Sequence, residues 1–325
     1  MHLAWGIIGS QPEDAVETEM VMDEIQQAAL KERFQGAIDS FVEKVKDDPN
    51  VIAVLVSGSF AYDVIWEKSD IDMLVIVRDQ KLTSTYVSLI EDGLTINASL
   101  IPRSAFKRDM EGSIGGSFFQ SFISNGKIVY STDDSLFEYL EELRQIGDDD
   151  RALTAVTLAF FLISARHKAM KYLTARRDVC YAQFFLLKAA ETIADMELCI
   201  RGIPTSRSAI QKALAFNPEM MGLFYVDLMR RQLSEGELFE RIQRLDSYLE
   251  EHMPLFQRPV LEYLADGEIK TVSMISKHVH AGGPLTDLLD FLAEHGVIEK
   301  VSQQIKLTSK SRIGVEEIGY QYIQA

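Results

Sequence analysis

Residues 51–77 read VIAVLVSGSFAYDVIWEKSDIDMLVIV, and this stretch decides how the first part of the chain folds. Its two apolar runs, 51–56 and 73–77, are typical of buried strands. Between them lie a Gly-Ser turn and the pair Asp70 and Asp72. Because side chains alternate along a strand, both carboxylates fall on one face, about 7 Å apart. The spacing predicts that the turn and the acids meet at one end of a sheet.

This combination of residues suits a phosphate group and a metal ion. Gly58 lets the backbone approach a phosphate closely, and the Ser57 and Ser59 hydroxyls can donate hydrogen bonds to it. Asp70 and Asp72 offer the oxygen ligands that a divalent cation prefers. The alternative is an acidic pair that only begins a strand beside a turn.

Residues 58–77, GSFAYDVIWEKSDIDMLVIV, resemble the signature of the nucleotidyltransferase fold superfamily, a Gly-Ser turn followed by an acid-x-acid pair. The order of the later segments is similar to that of the kanamycin-type aminoglycoside nucleotidyltransferases. The end of the chain resembles bacterial nucleotidyltransferase-like proteins that carry a helix-turn-helix. The resemblance implies transfer of a nucleoside monophosphate from a nucleoside triphosphate to an acceptor hydroxyl, with Mg²⁺ as the metal.

The resemblance also assigns roles to single residues. Gly58, Ser59 and Ser69 would bind the nucleotide. Asp70 and Asp72 would bind Mg²⁺ and act as the catalytic residues. The acceptor, a small molecule or a protein, is not identified by the sequence.

The chain departs from the family pattern at two positions. The family places a third carboxylate on a neighbouring strand, where this chain has Asn97. Kanamycin-type enzymes carry a Glu base four residues before a Lys, and the residue four before Lys168 is Ser164. His167, four before Lys171, would be the base if the alignment slips by three residues. These departures leave an alternative open, a catalytically impaired nucleotide-binding protein that regulates through its helix-turn-helix module.

Lys168 and Lys171 lie three residues apart and share one face of the predicted helix over 152–174. With the resemblance, they are interpreted as nucleotide-binding residues that contact phosphate. The alternative is a solvated helix end, where cations complement the helix dipole.

The pattern of the whole chain predicts an α+β protein with three domains. These are a small mixed-sheet nucleotidyltransferase domain at 1–150, a helical substrate-binding-like bundle at 151–255 and a winged helix-turn-helix at 256–325. The first domain is expected to contain a helix over 21–45, a third strand over 94–101 and helices from 104 and over 135–146. Residues 112–131 are expected to form a Gly-rich loop from Gly112 to Gly116, a short helix, a turn at Gly126 and a strand that ends near Tyr130. In the bundle and the C-terminal module, helices are predicted over 179–201, 206–215, 219–231, 234–251, 259–266, 271–280 and 284–295, with wing strands over 297–301 and 304–308.

The net charge of −16 is concentrated in the first domain. Residues 1–150 carry 12 basic and 28 acidic residues, whereas 151–255 have a net charge of +2 and 256–325 of −2. A strongly anionic domain repels nucleic acid and acidic membranes. The third helix of the C-terminal module has Asp287, Asp290 and Glu294 and lacks Lys and Arg, which argues against DNA binding.

The remaining features indicate a cytoplasmic protein. Cys180 and Cys199 lie in helical patterns and suggest no disulfide, so both are expected to be packed inside. The start of the chain lacks the charge pattern of a signal peptide, and no apolar run reaches the length of a membrane span. The sequence does not determine the oligomeric state, and a homo-oligomer is one alternative.

Overall fold

A mixed sheet with the strand order β3-β4-β2-β1-β5 forms the centre of the first of two units in the chain. β2 and β4 are parallel, and the other neighbouring pairs are antiparallel. The computed structural model describes residues 13–58, 60, 65–111, 123, 126–142, 144 and 146–322. The strands are β1 (Val51–Ser57), β2 (Ile71–Val77), β3 (Tyr86–Glu91), β4 (Leu94–Pro102) and β5 (Lys127–Ser131).

Helices pack on the sheet of the first unit because β1 and β2 are apolar on both faces. They are α1 (Glu13–Val45), α2 (Arg103–Glu111) and α3 (Ser135–Glu142). On one face, buried Phe34 and Ile38 of α1 pack in one cluster with alternate strand residues such as Met73. Leu74 and Ile76 point to the other face and are also buried.

The α+β class and the mixed sheet confirm the prediction, whereas several element boundaries differ from it. β3 was missed, because an edge strand with exposed Tyr86 and Ile90 lacks a buried apolar pattern. α1 begins at Glu13 rather than at residue 21, and α3 ends at Glu142 rather than at 146. The predicted Gly-rich loop and short helix after residue 111 lie almost wholly outside the described residues.

Helices make up most of the second unit, which contains the described residues from 144 to 322. α4 packs against both α5 and α9, and small residues such as Ala155 and Ala159 are fully buried between them. The helices are α4 (Asp148–Lys171), α5 (Val179–Ile200), α6 (Ala209–Phe216), α7 (Pro218–Met221), α8 (Asp227–Arg230) and α9 (Glu235–Leu264), with π-helical turns at Tyr172–Arg176 and Gly222–Val226.

α9 corrects the prediction of two helices over 234–251 and 259–266. It begins with a capping box formed by Ser234 and Glu237, and it continues through Pro254 and Pro259. A proline in a helix removes one backbone hydrogen bond, which is why the sequence predicted a break there. Burial of apolar side chains on both sides of the prolines keeps the helix continuous.

The C-terminal elements surround a second, smaller sheet with the strand order β6-β8-β7. They are β6 (Lys270–Thr271), α10 (Val272–His278), α11 (Thr286–Glu294), β7 (Glu299–Ile305) and β8 (Val315–Gln321). The predicted second wing strand over 304–308 is wrong, because β7 ends at Ile305 and its partner β8 begins ten residues later, at Val315.

The side chains Leu285, Leu288, Leu289 and Leu292 are buried, as predicted. They belong to one hydrophobic cluster that also includes residues of α4 and α9. The core of the second unit therefore runs from the helical bundle into the C-terminal elements. The three-domain division at 150 and 255 stays a prediction.

A buried carboxylate, Glu197 of α5, is only 2% exposed and lies inside the second unit. Its Oε1 accepts hydrogen bonds from the Tyr248 hydroxyl at 2.8 Å and from Asn217 Nδ2 at 2.9 Å. Its Oε2 accepts from Arg201 at 2.7 Å. Burial and the Glu197 charge raise the pKa of Tyr248 far above its usual value. The buried charge is thus compensated by three donors.

Two further sequence expectations concern the cysteines and the membrane. Cys199 is buried, and burial raises the pKa of its thiol to about 12. Cys180 is exposed, so the expectation that both are packed inside is wrong for this residue. Within the described part of the chain, none of the helices combines the length and the hydropathy that a bilayer crossing requires.

Candidate functional site

Four polar residues lie side by side across the sheet of the first unit. The strand registers pair Ser57 of β1 with Asp72 of β2, Asp72 with Asn97 of β4, and Asn97 with Ser88 of β3. Ile71 and Met73 alternate with Asp72 and pack in the cluster with α1, so Asp72 points to the face opposite α1. We call Ser88, Asn97, Asp72 and Ser57 the polar row.

Gly58 follows β1 directly and turns the chain at the end of the polar row. Its φ is +69°, a left-handed conformation that L side chains rarely adopt. A Cβ atom at this position would overlap the Asp72 carboxylate. Glycine is therefore required both by the backbone conformation and by the close approach of Asp72.

Asp70 stands immediately before β2, two residues from Asp72, and therefore on the same side of the strand. Asp70 is exposed and Asp72 is partly exposed, whereas Ile71 between them is fully buried on the opposite face. The structure thus places both carboxylates at one end of β2 next to the Gly58 turn.

Asn97 contacts the acidic pair. Its Nδ2 donates a hydrogen bond to Asp70 Oδ2, and its Oδ1 accepts one from the Ser88 hydroxyl at 3.0 Å. The sequence placed Asn97 at the position of a third carboxylate, and the strand register does put it beside the acids. Ser88 was not found from the sequence, because its strand β3 was not recognised.

β3 is held in place by a second set of contacts, between Glu91 at its end and α1. Glu91 accepts hydrogen bonds from Lys44 Nζ and from Ser40 Oγ, both at 2.6 Å. The Lys44 ammonium, with the Ser40 hydroxyl, lowers the pKa of Glu91 below its usual range. A partly buried ion pair therefore fixes the edge strand that carries Ser88.

Ser69 and Ser59 were predicted to bind nucleotide. The Ser69 Oγ accepts a hydrogen bond from the Trp66 N–H at 3.1 Å, and the Ser69 N–H donates to the Trp66 carbonyl at 2.8 Å. Ser69 therefore closes the turn that leads into Asp70. Ser59 lies outside the described residues.

The donor set fits a single Mg²⁺ ion. Asp70 and Asp72 supply two carboxylates, and Mg²⁺ is commonly held by one or two carboxylates together with substrate phosphates. Among the residues that the structure describes, no group of three or more His, Cys, Asp and Glu side chains is arranged to hold a metal. A bound nucleotide would supply the phosphate oxygens that commonly complete the coordination of a Mg²⁺ ion held by two carboxylates.

Lys168 and Lys171 lie in the second unit, at the end of α4, and both are exposed. Lys168 Nζ lies 5.4 Å from the centre of the Phe185 ring. His167, the candidate base if the alignment slips by three residues, has its Nδ1 3.6 Å from Asp287 Oδ2. Ser164, which stands where the family has its Glu base, is partly buried. The roles of these residues toward the nucleotide stay predictions.

A protein-family model and two solved structures are similar to part or most of the chain. A family model described as "Polymerase beta, Nucleotidyltransferase" matches residues 40–135. A nucleotidyltransferase-like protein from Exiguobacterium sibiricum 255-15 is similar in structure, with a TM-score of 0.61, 16% identity, and coverage of 89% of this chain and 99% of that one.

A spectinomycin adenyltransferase from Enterococcus faecialis, solved with ATP and spectinomycin, has a TM-score of 0.28 and 14% identity, over 66% of this chain and 98% of that one. No curated protein matches the chain. The family match includes the whole polar row, the Gly58 turn and both carboxylates. Residues 40–135 therefore match the nucleotidyltransferase family of the polymerase-β type.

Proposed function

We propose that the chain transfers a nucleoside monophosphate from a nucleoside triphosphate to an acceptor hydroxyl, with Mg²⁺. The observation that carries this proposal is the meeting of the Gly58 turn with Asp70 and Asp72 at one end of the polar row. The acceptor oxygen forms a bond to the α-phosphorus, the bond to the β-phosphate oxygen breaks, and pyrophosphate leaves. The acceptor proton passes to a base, for which His167 is the candidate.

Each residue of the site has a defined part in this proposal. Gly58 and Ser59 hold the triphosphate, Ser69 shapes the turn before Asp70, and Asp70 with Asp72 binds the metal. Mg²⁺ supplies positive charge where negative charge develops on the transferred phosphoryl group.

Incubation with nucleoside triphosphates labelled at the α-phosphate tests this proposal. ATP, CTP, GTP and UTP are each offered with a panel of hydroxyl-bearing small molecules and proteins. The expected result is transfer of the label to one acceptor class with release of pyrophosphate. Metal-dependent nucleotide binding without transfer to any acceptor would instead favour the non-catalytic alternative.

Lys168 and Lys171 are proposed to contact the triphosphate. Loss of a phosphate contact should weaken nucleotide binding by roughly 1.5–3 kcal/mol, the range of hydrogen bonds to charged groups. We expect this loss in the variant Lys168→Ala, Lys171→Ala, measured by calorimetric titration. Two exposed lysines of the same unit, Lys188 and Lys277, are the matched control and should leave affinity unchanged when replaced by Ala. If both variants bind the nucleotide as tightly as the wild type, Lys168 and Lys171 do not contact its phosphates.

The second candidate function is regulation through the C-terminal module, which we propose to be a winged helix-turn-helix. The order of α10, α11 and the β7–β8 hairpin, with β6 paired to β8, supports this assignment. Nucleotide binding in the first unit would then act on a partner of this module.

The acidic side chains of α11 already have partners within the chain. Asp287 lies 3.6 Å from His167 Nδ1 of α4. Asp290 accepts from Lys300 Nζ at 2.9 Å and from the Tyr320 hydroxyl at 2.5 Å. Burial alone would raise the pKa of Asp290, but these two donors outweigh it and lower the pKa. α11 thus uses these carboxylates for contacts within the chain, which supports a packing role rather than DNA recognition.

A gel-shift assay with mixed duplex DNA at low salt tests the absence of DNA recognition. Duplex DNA is bound through Lys and Arg, which release its counterions, and α11 has neither. We expect no sub-micromolar binding, with any weak retention removed by the control variant Lys306→Ala, Lys310→Ala, Arg312→Ala in the connection between β7 and β8. Tight binding that is lost on changing Thr286 or Asp287 of α11, and kept in this control, would contradict the expectation.

A further inference from the structure

The orientation of the Asn97 amide follows from its two neighbours. An ionised carboxylate only accepts hydrogen bonds, so the amide nitrogen has to face Asp70. The amide oxygen then faces Ser88, whose hydroxyl donates to it at 3.0 Å. Both polar atoms of the Asn97 side chain are therefore engaged within the protein.

A metal ligand needs an oxygen lone pair directed at the ion. Asn97 directs an N–H group at the acidic pair, and its oxygen is turned toward the edge strand. An N–H beside a carboxylate contributes partial positive charge and fixes the direction of the carboxylate. Asn97 can therefore orient the Asp70 carboxylate, whereas a third carboxylate at this position would itself supply an oxygen ligand to the metal.

We propose that Asn97, oriented by Ser88, is a positioning residue that holds the Asp70 carboxylate and does not bind the metal. This inference rests on the proposed function, because it concerns the site where the nucleotide and its ion would lie. The site then accepts one ion through Asp70 and Asp72. Glu91 anchors β3 on α1, and β3 in turn places Ser88 beside Asn97.

The metal-free protein gives the first test, by NMR of the Asn97 side-chain amide. The resonances of this group are expected to move when Asp70→Ala removes the acceptor and when Ser88→Ala removes the hydroxyl. Ser88→Thr keeps a hydroxyl and serves as the matched control, with a spectrum close to that of the wild type. An Asn97 amide signal that is the same in the wild type and in Asp70→Ala would overturn the proposal, whatever the protein catalyses.

Metal titration gives the second test, with Mn²⁺ and a non-hydrolysable nucleotide analogue. Groups that orient a metal ligand typically contribute about 10–100-fold to metal affinity. Ser88→Ala is expected to weaken Mn²⁺ binding by about 10-fold, the lower end of that range, with Ser88→Thr unchanged. If Asn97 Oδ1 were a ligand, loss of the Ser88 hydroxyl would free this oxygen, and Mn²⁺ binding would stay the same or tighten.

The variant Asn97→Asp completes the test, because it replaces the donor by a carboxylate. We expect it to bind more Mn²⁺ ions per protein than the wild type, since three acids now face one another. An unchanged number of ions would contradict the positioning role. A wild type that binds no nucleotide with metal would refute the proposed function alone, because the NMR result on Asn97 and Asp70 stands without it.

Discussion

The variant Asp70→Asn, Asp72→Asn should lose metal-dependent nucleotide binding. Both carboxylates lie at the same end of β2, and they are the charged oxygens that an ion would use there. Amide side chains are neutral and bind Mg²⁺ more weakly. Because groups that only orient a metal ligand contribute about 10–100-fold, we expect removal of the ligands themselves to cost about 100-fold or more. Calorimetric titration of the nucleotide with and without Mg²⁺ measures this loss.

A charge-matched control separates the site from the general acidity of the first unit. Asp47→Asn with Asp134→Asn removes the same two charges at exposed positions of that unit. The control variant should bind metal and nucleotide as the wild type does. If the two double variants behave alike, the acidic pair has no specific role and its assignment as the metal site is wrong.

Glu197→Ala should destabilise the second unit by about 3–5 kcal/mol, which is typical when one member of a buried charged pair is removed. The substitution leaves the buried Tyr248 hydroxyl and Asn217 Nδ2 without their acceptor, and Arg201 without its carboxylate partner. Chemical denaturation followed by circular dichroism measures the change in the free energy of unfolding.

Two milder variants show which contact matters. Tyr248→Phe removes a single hydrogen bond and should cost about 0.5–1.5 kcal/mol beyond any packing change. Glu197→Gln keeps an oxygen for Tyr248 and should fall between the two. A Glu197→Ala protein within about 1 kcal/mol of the wild type would show that water replaces the carboxylate.

The sequence predicted the centre of the first unit well, because local pattern and burial agree there. β1 and β2 are apolar on both faces, and the acids at the start of β2 interrupt this run on one face only. The position of Asn97 beside Asp72 followed from the family pattern and agrees with the parallel register. The direction of its amide did not follow, because it depends on Ser88 of an edge strand with weak sequence signals.

The C-terminal half was harder to predict because tertiary packing overrides local signals there. Pro254 and Pro259 indicate a helix end, yet both lie within α9, where the face that includes Phe256 and Val260 is buried. Asp148, Asp149 and Asp150 lie at the predicted domain boundary, and they form the first turn of α4. Acidic side chains are favourable at that end of a helix, so the same residues support either interpretation.

The continuity of α9 has a mechanical consequence. A helix of 30 residues is a rod about 45 Å long. One end lies in the bundle, and five residues separate the other end from β6. A tilt of about 10° around its midpoint would displace each end by about 4 Å, in opposite directions. A ligand that tilts α9 in the bundle would therefore also move the C-terminal elements. The length of the helix sets the size of that movement.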